Sequence, residues 1–303
     1  MKKVLFIVPY PIGLAPSQRF RFEQYFEILK ENHFQFDMEP FWSEKGWSLL
    51  YQQNQMAGKV MALLRGYFKR FVLLFRIRGY EMVFIHREAL PLGPPIIEYV
   101  ISSIFKKRII YDFDDAIWLP NTSEQNSLAG LLKYHRKVKH ICKWSWKVSC
   151  GNDFLADYAR KFNDRVYINP TTIDTLYHKP KIKNSSNQQI VIGWTGTHST
   201  TKYLMPLVSI LKELGNKYSI KIMIISNQKP DWDVDDYNFI VWNKEKEIEQ
   251  LDKIDIGIMP LDDSVWEKGK CGFKALQYMA LGIPAVVSKV GINNNIIDHG
   301  ING

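Results

Sequence analysis

Short apolar runs recur along this chain, and each is followed by a longer amphipathic segment. The first run is Val4-Leu5-Phe6-Ile7-Val8, and weaker or shorter versions return at 34–38, 82–86, 108–112, 147–150 and 166–168. Helical spacing occupies the intervals at 17–31, 59–78, 95–105, 126–144 and 152–162. Strands that alternate with helices in this way belong to a parallel sheet covered on both faces. A polar stretch at 171–189 then interrupts the pattern, with Pro180 and the run Asn184-Ser185-Ser186-Asn187. Beyond it the alternation restarts, with strands expected at 190–194, 220–225, 239–242, 254–259 and 285–288 and helices at 200–216, 244–251 and 273–281. The expectation is α/β architecture in two domains, residues 1–175 and 176–303, with a cleft between them. Ligands of such sheets bind beyond the carboxyl ends of the strands.

Composition excludes several function classes. With 46% hydrophobic and 14% aromatic residues over 303 positions, the chain is not a disordered segment. Cys142, Cys150 and Cys271 are too few and too scattered for a disulfide framework or a cysteine zinc site, which points to a reducing, cytoplasmic compartment. The N-terminal apolar run is closed by Pro9 and Pro11, too soon for a signal peptide, and no stretch reads as a transmembrane helix. A net charge of +9, from 40 Lys+Arg against 31 Asp+Glu, asks for an anionic partner.

Five segments carry candidate chemistry, at or beyond the ends of expected strands. Lys268, Lys270 and Lys274 surround the glycines 269 and 272 just before the helix at 273–281. Backbone amides at a helix start and nearby ammoniums suit a phosphate, although a solvated basic loop has the same composition. Gly196, Thr197, Ser199 and Lys202 follow the strand at 190–194, where glycine admits close backbone approach and the others supply donors. Asp112, Asp114 and Asp115 end the strand at 108–112. Asp112-x-Asp114 formally matches a metal-binding carboxylate pair. The preferred reading sets Asp114 and Asp115 against acceptor hydroxyls or as a base, and a loop-capping role is the alternative. Arg19, in Pro16-Ser17-Gln18-Arg19-Phe20-Arg21, is a candidate for phosphates or an anionic acceptor, and His86 and Glu88 are candidates at the end of the strand at 82–86. Arg19 and Arg21 on the exposed face of a helix is the competing view.

Residues 270–287 and the turn His299-Gly300-Ile301-Asn302-Gly303 resemble the donor-binding region of GT-B glycosyltransferases of the family-four type, whose pattern runs K-x-x-x-K-x-x-E-Y-M-A-x-G-x-P-V-V before a glycine loop and a G-x-N-G turn. The resemblance implies two Rossmann-like domains and a nucleotide-diphosphate sugar as donor. It also implies a glycan or lipid-linked glycan acceptor, retention of anomeric configuration, and no metal or cofactor. It assigns Gly196, Thr197, Lys202, Lys270, Lys274, Gln277 and Gly291 to the donor, and Gln277 stands where the family has a ribose-binding glutamate. The family's other glutamate falls at Gly269, with Glu267 two residues upstream as its substitute. The catalytic candidates are therefore Asp114, Asp115 and Glu267. Because family members continue past the G-x-N-G turn, a C-terminal domain cut short at Gly303 is expected.

Residues 59–78 hold Lys59, Arg65, Lys69, Arg70, Arg76 and Arg78, no acidic residue, and more apolar side chains than one buried stripe needs. A second basic cluster comprises Lys133, Arg136, Lys137, Lys139, Lys143 and Lys147, with Trp144 and Trp146. Such segments suit an anionic membrane surface, which places the protein peripherally on the inner face of the cytoplasmic membrane. Solvated cations over a packed apolar face are the plainer alternative. A nucleic-acid-binding protein is the alternative from another class, and no nucleic-acid-binding motif is present. A nucleotide-sugar epimerase or phosphorylase, and a nucleotide-sugar-binding protein with impaired catalysis, complete the readings.

Overall fold

The computed structural model describes residues 2–50, 52, 54–120, 132–180, 189–230 and 237–303. The first part of the helix expected at 126–144 and the run 184–187 lie outside the described residues. The chain divides into two compact units, Met1–Thr171 and Thr172–Gly303.

In the first unit six strands form one parallel sheet: β1 (Lys2–Val8), β2 (Phe34–Pro40), β3 (Met82–His86), β4 (Arg108–Phe113), β5 (Lys147–Cys150) and β6 (Val166–Ile168), in the order β2-β1-β3-β4-β5-β6. Alternate residues of β1 serve the two faces. Val4, Phe6 and Val8 pack against Phe22, with Phe26, Phe36 and Phe84 around them, while Leu5 and Ile7 are fully buried on the other face. The helices are α1 (Pro16–Arg19), α2 (Phe26–Glu31), α3 (Glu44–Leu50), α4 (Met56–Arg76), α5 (Ile96–Tyr99, running into a π-turn), α6 (Lys137–Trp144) and α7 (Asp153–Arg160). Asn152 caps α7, its Oδ1 accepting from the Leu155 amide at 2.9 Å, as a residue of that type before a helix predicts.

The helix expected at 17–31 is broken. Pro16 opens α1 at its first position with Ala15 as the cap, and Phe22 then leaves helical geometry at φ −147°. At the break, Arg21 and Phe22 are both buried. Arg70 and Lys137 also depart from expectation. They are buried instead of contributing to basic surfaces. Arg70 donates to three main-chain oxygens, those of Ala89 (3.0 Å), Glu39 (2.9 Å) and Val8 (2.8 Å), and so ties together the chain leaving three adjacent strands. Burial away from water lowers its pKa to about 10.

The second unit contains five parallel strands: β7 (Ile190–Gly196), β8 (Ile220–Ser226), β9 (Tyr237–Val241), β10 (Ile256–Met259) and β11 (Ala285–Val287), in the order β11-β10-β7-β8-β9. Its helices are α8 (Val208–Lys217), α9 (Glu247–Leu251), α10 (Phe273–Ala280) and α11 (Asn293–Ile296). The first half of the helix expected at 200–216 is a 3-10 segment, His198–Leu207, and regular α-helix begins only after Pro206. Proline lacks the N–H that an α-helix needs at that point. Among the described residues no helix is long and apolar enough to cross a membrane.

Candidate functional site

Strand order reverses direction between β1 and β3 in the first unit and between β7 and β10 in the second. At such a point two neighbouring loops diverge to opposite faces and leave a crevice beyond the strand ends. Both crevices hold clusters of polar side chains.

In the second unit, β7 ends at Gly196, where a side chain would overlap the Trp194 indole. Thr197 follows in extended geometry as the cap of the 3-10 segment, its hydroxyl 3.0 Å from that of Ser199 and its carbonyl accepting from Thr200 Oγ1 at 2.9 Å. Across the crevice, beyond β10, lies Glu267, which is 3% exposed. Its Oε1 accepts from the Tyr203 hydroxyl and its Oε2 from Ser264. Burial pushes this carboxyl's pKa up, but the Ser264 and Tyr203 donors and the Lys202 charge outweigh that and hold it below its ordinary value. Glu267 thus fastens the 3-10 segment that carries Lys202 to the loop that leads to Lys270.

Two ammoniums sit near the start of α10. Lys270 lies 5.4 Å from the Trp266 ring and Lys274 lies 5.8 Å from the Trp194 ring. Gly272 caps α10 in the left-handed region at φ +67°, a cap without a side-chain acceptor for the first-turn amides. Gly291, at φ +55°, brings its turn so near that a Cβ would stand 3.1 Å from the Lys268 Cα and carbonyl oxygen. This glycine therefore lets the 290–291 turn close over the lysine loop. Gln277 points to the inner side of α10, where its Nε2 stands 3.3 Å from His178 Nε2. With His178 Nδ1 3.2 Å from the Asp174 carbonyl, the consistent assignment puts the imidazole proton on Nδ1 and makes Nε2 the acceptor of the Gln277 amide.

In the first unit the centre is Asp112, at the end of β4. Arg21 forks onto it, Nη2 meeting Oδ1 and Nε meeting Oδ2 at 3.3 Å, while the Ser149 hydroxyl donates to Oδ1 at 2.7 Å and His86 Nδ1–H to Oδ2 at 2.8 Å. Burial pushes the Asp112 carboxyl up, but Arg21 and His86 together hold it well below the usual carboxylate range. The far side of the His86 ring, Nε2, is buried without a hydrogen-bond partner and lies 3.9 Å from Asp114 Oδ1. Arg87 takes up left-handed geometry at φ +59° and turns its guanidinium onto Asp114 (2.7 Å), Asp115 (2.5 Å) and the Tyr10 hydroxyl (3.3 Å). Such geometry costs a non-glycine residue on the order of 1–3 kcal/mol, so surrounding contacts hold it there. Burial opposes the Arg87 charge, and the two aspartates more than offset it.

The structure thus brings Asp114, Asp115 and His86 together with Arg87. Asp112 and Asp114, the formal metal-binding pair, turn to different cations. Glu88 is drawn aside by Lys137 at 2.7 Å. Arg19 stays half-buried with its guanidinium 4.9 Å from the Phe20 ring, and Arg21 is the residue that reaches the strand ends. Sequence reasoning missed Arg21, Arg87, Tyr10 and His178 as site members. It also missed Gln18, which accepts from the Tyr10 amide (2.9 Å) and donates to the Tyr10 carbonyl (3.0 Å), pinning the loop after β1. Arg21 was visible only as a second basic residue beside Arg19, and Arg87 only as the residue between two candidates.

Residues 189–303 match the family described as Glycosyl transferases group 1. No curated protein sequence matches the chain. Solved structures with the same fold include sucrose-phosphate synthase from Thermosynechococcus elongatus, 12% identical with a TM-score of 0.63, covering 96% of this chain and 82% of that one. The catalytic domain of starch synthase IV from Arabidopsis thaliana, bound to ADP and acarbose, is 9% identical with a TM-score of 0.61 and covers 99% of this chain and 85% of that one. WaaG, a glycosyltransferase involved in lipopolysaccharide biosynthesis, is 12% identical with a TM-score of 0.57 and covers 98% and 83%. At these identities the likeness establishes the fold, which is GT-B: two parallel α/β units, as the alternating pattern predicts.

Proposed function

We propose that this chain, a glycosyltransferase of the group 1 type with the GT-B fold, moves a sugar from a nucleotide-diphosphate sugar to an acceptor hydroxyl with retention of configuration. The second unit takes the donor and the first the acceptor, a glycan or lipid-linked glycan of a cell-surface polysaccharide or glycolipid, at the anionic inner face of the cytoplasmic membrane. The observation that carries the donor reading is the meeting of two strand-end loops: Lys274 stands 5.8 Å from the Trp194 ring beside Gly196, and the Tyr203–Glu267 hydrogen bond ties the segment of Thr197 and Lys202 to the loop of Lys270 before α10. Charge grows on the leaving diphosphate as the glycosidic bond breaks. Fixed ammoniums and helix-start amides stabilise that charge without reorganising. Glu267 acts as a positioning residue that sets Lys202 and Lys270 against each other, while Gly291 and Gln277 shape the loop and helix behind them. Asp114 and Asp115, oriented by Arg87 with His86 beside them, receive acceptor hydroxyls, and Arg19 is the residue assigned to an anionic acceptor. The Arabidopsis starch synthase of the same fold was solved with ADP and acarbose, which supports a nucleotide-bearing donor here.

Calorimetry with UDP, GDP and ADP tests this reading. One of them should bind, and Lys270→Ala should weaken it about tenfold to a hundredfold, the usual effect of one charge-assisted contact. Silence from all three would overturn the proposal. Gly269 and Gln277, where the family carries glutamates, favour a second reading as a nucleotide-sugar-binding protein with impaired catalysis. Binding without transfer from any labelled nucleotide-sugar would select it.

A further inference from the structure

Gly66, Arg70, Leu73 and Ile77 recur at helical spacing and form the buried side of α4 and the turn that follows it. The opposite side carries Val60, Met61, Leu64, Phe68, Phe71, Val72 and Phe75, all exposed; Phe68 is 71% and Phe75 86% exposed. At roughly 100° per residue these positions fall in one continuous arc, and from Val60 to Phe75 it runs roughly 23 Å along the helix. Large apolar side chains in an unbroken exposed stripe mark an interaction surface. Arg65, Lys69 and Arg76 border the arc on one flank and Arg78 on the other, all exposed, and no acidic residue occurs between Met56 and Arg78. Arg76 is paired with Glu39 at 2.9 Å and Lys69 donates to the Pro40 carbonyl at 3.1 Å, so Arg65 and Arg78 carry most of the outward charge. Exposed apolar residues continue on α5 at Ile96 and Tyr99 and in its π-turn at Ile104, with Lys106 beyond, and α5 packs next to α4.

We propose that the outer face of α4 is the element that docks this protein onto an anionic lipid bilayer. The helix lies in the interface plane, with Phe68, Phe71 and Phe75 among the acyl chains and Arg65 and Arg78 at the headgroups. The cations choose the occupant. Two copies facing each other through α4 would bring like charges together with no carboxylate on either helix to meet them, whereas anionic headgroups complement the rim. The helix lies on the membrane and does not cross it, because its cations leave it too polar to span. Burial of Arg70 has a mechanical consequence. Its guanidinium ties α4 to the chain leaving β1, β2 and β3, so the docking face is held to the same strand ends that form the acceptor crevice. This inference deepens the membrane-acceptor reading given above, and nucleotide calorimetry tests the donor reading separately.

The test is flotation of the full chain with phosphatidylcholine vesicles, with and without phosphatidylglycerol. The wild type should float with the anionic vesicles. Phe68→Ser/Phe75→Ser should reduce the bound fraction about tenfold or more, by removing two inserted rings. Arg65→Gln/Arg78→Gln should reduce it on anionic vesicles alone. Both variants alter exposed side chains, so unchanged melting and unchanged nucleotide binding are expected of them. A wild type that stays in the soluble fraction with both vesicles overturns the proposal. So does a phenylalanine variant that floats as well as the wild type. A concentration-dependent dimer in light scattering that Phe68→Ser/Phe75→Ser abolishes overturns it in favour of a second copy.

Discussion

Asp112 shows how one residue organises a site without being free to react. Its side chain and that of Arg21 are each 1% exposed, and together they form a buried, bidentate ion pair. Burying two charges is expensive, and removing one partner is worse, because the other remains desolvated and unpaired. Arg21→Ala should therefore destabilise the first unit by about 3–5 kcal/mol, read by urea unfolding at neutral pH. The pH dependence has a definite sign. In the wild type the Asp112 pKa is depressed, so its contribution is present above the unfolded carboxylate value of about 4 and is lost as the pH falls below it. In the variant, burial without Arg21 favours the protonated acid. The gap between the two proteins should therefore be widest near neutrality and narrow as the pH drops through about 4. A gap that is constant with pH would mean that Arg21 acts through packing alone.

At the scale of elements, α4 joins two demands, an inner face that must approach the sheet and an outer face that stays apolar. Gly66 meets the first. A Cβ there would overlap the Phe41 ring, which is itself buried and set edge-on to Trp42 and Tyr67. Alanine gains at most about 1 kcal/mol of helix propensity over glycine. Forcing a methyl into a packed aromatic contact costs about 1–3 kcal/mol. Gly66→Ala should therefore destabilise on balance, by about 1–2 kcal/mol in thermal melts. A stabilised variant would show that Phe41 gives way.

The same scale explains what was legible beforehand. The strands at 147–150 and 166–168 match the expectation residue for residue: buried Val148 and Cys150 alternate with half-buried Lys147 and Ser149, and Val166-Tyr167-Ile168 is a short run of strand-forming residues at the sheet edge, mostly exposed. The broken helix at 17–31 was not legible, because its break serves the distant partners Asp112, Ser149 and Asn169, which no local spacing reveals. The lysine and glycine loop before α10 was visible as a motif. Arg87 was not, since its left-handed backbone and its grip on two aspartates exist only in three dimensions.

The whole molecule consists of two units with separate cores, so its unfolding need not be one transition. The crevice proposed for the donor lies within the second unit, between β7, β10 and the loop before α10. A nucleoside diphosphate that binds there stabilises the unit that binds it by RT ln(1 + [L]/Kd), about 2.7 kcal/mol at a hundredfold excess over Kd. For a domain of this size that amounts to a shift of roughly 10 °C. Scanning calorimetry of the full chain should show the nucleotide raising one transition, while Arg21→Ala, whose lesion lies in the first unit, lowers the other. The two perturbations identify the transitions without separating the units. Equal movement of both transitions by the nucleotide would mean that binding energy is shared with residues of the first unit, and the donor site would then have to be redrawn to include them.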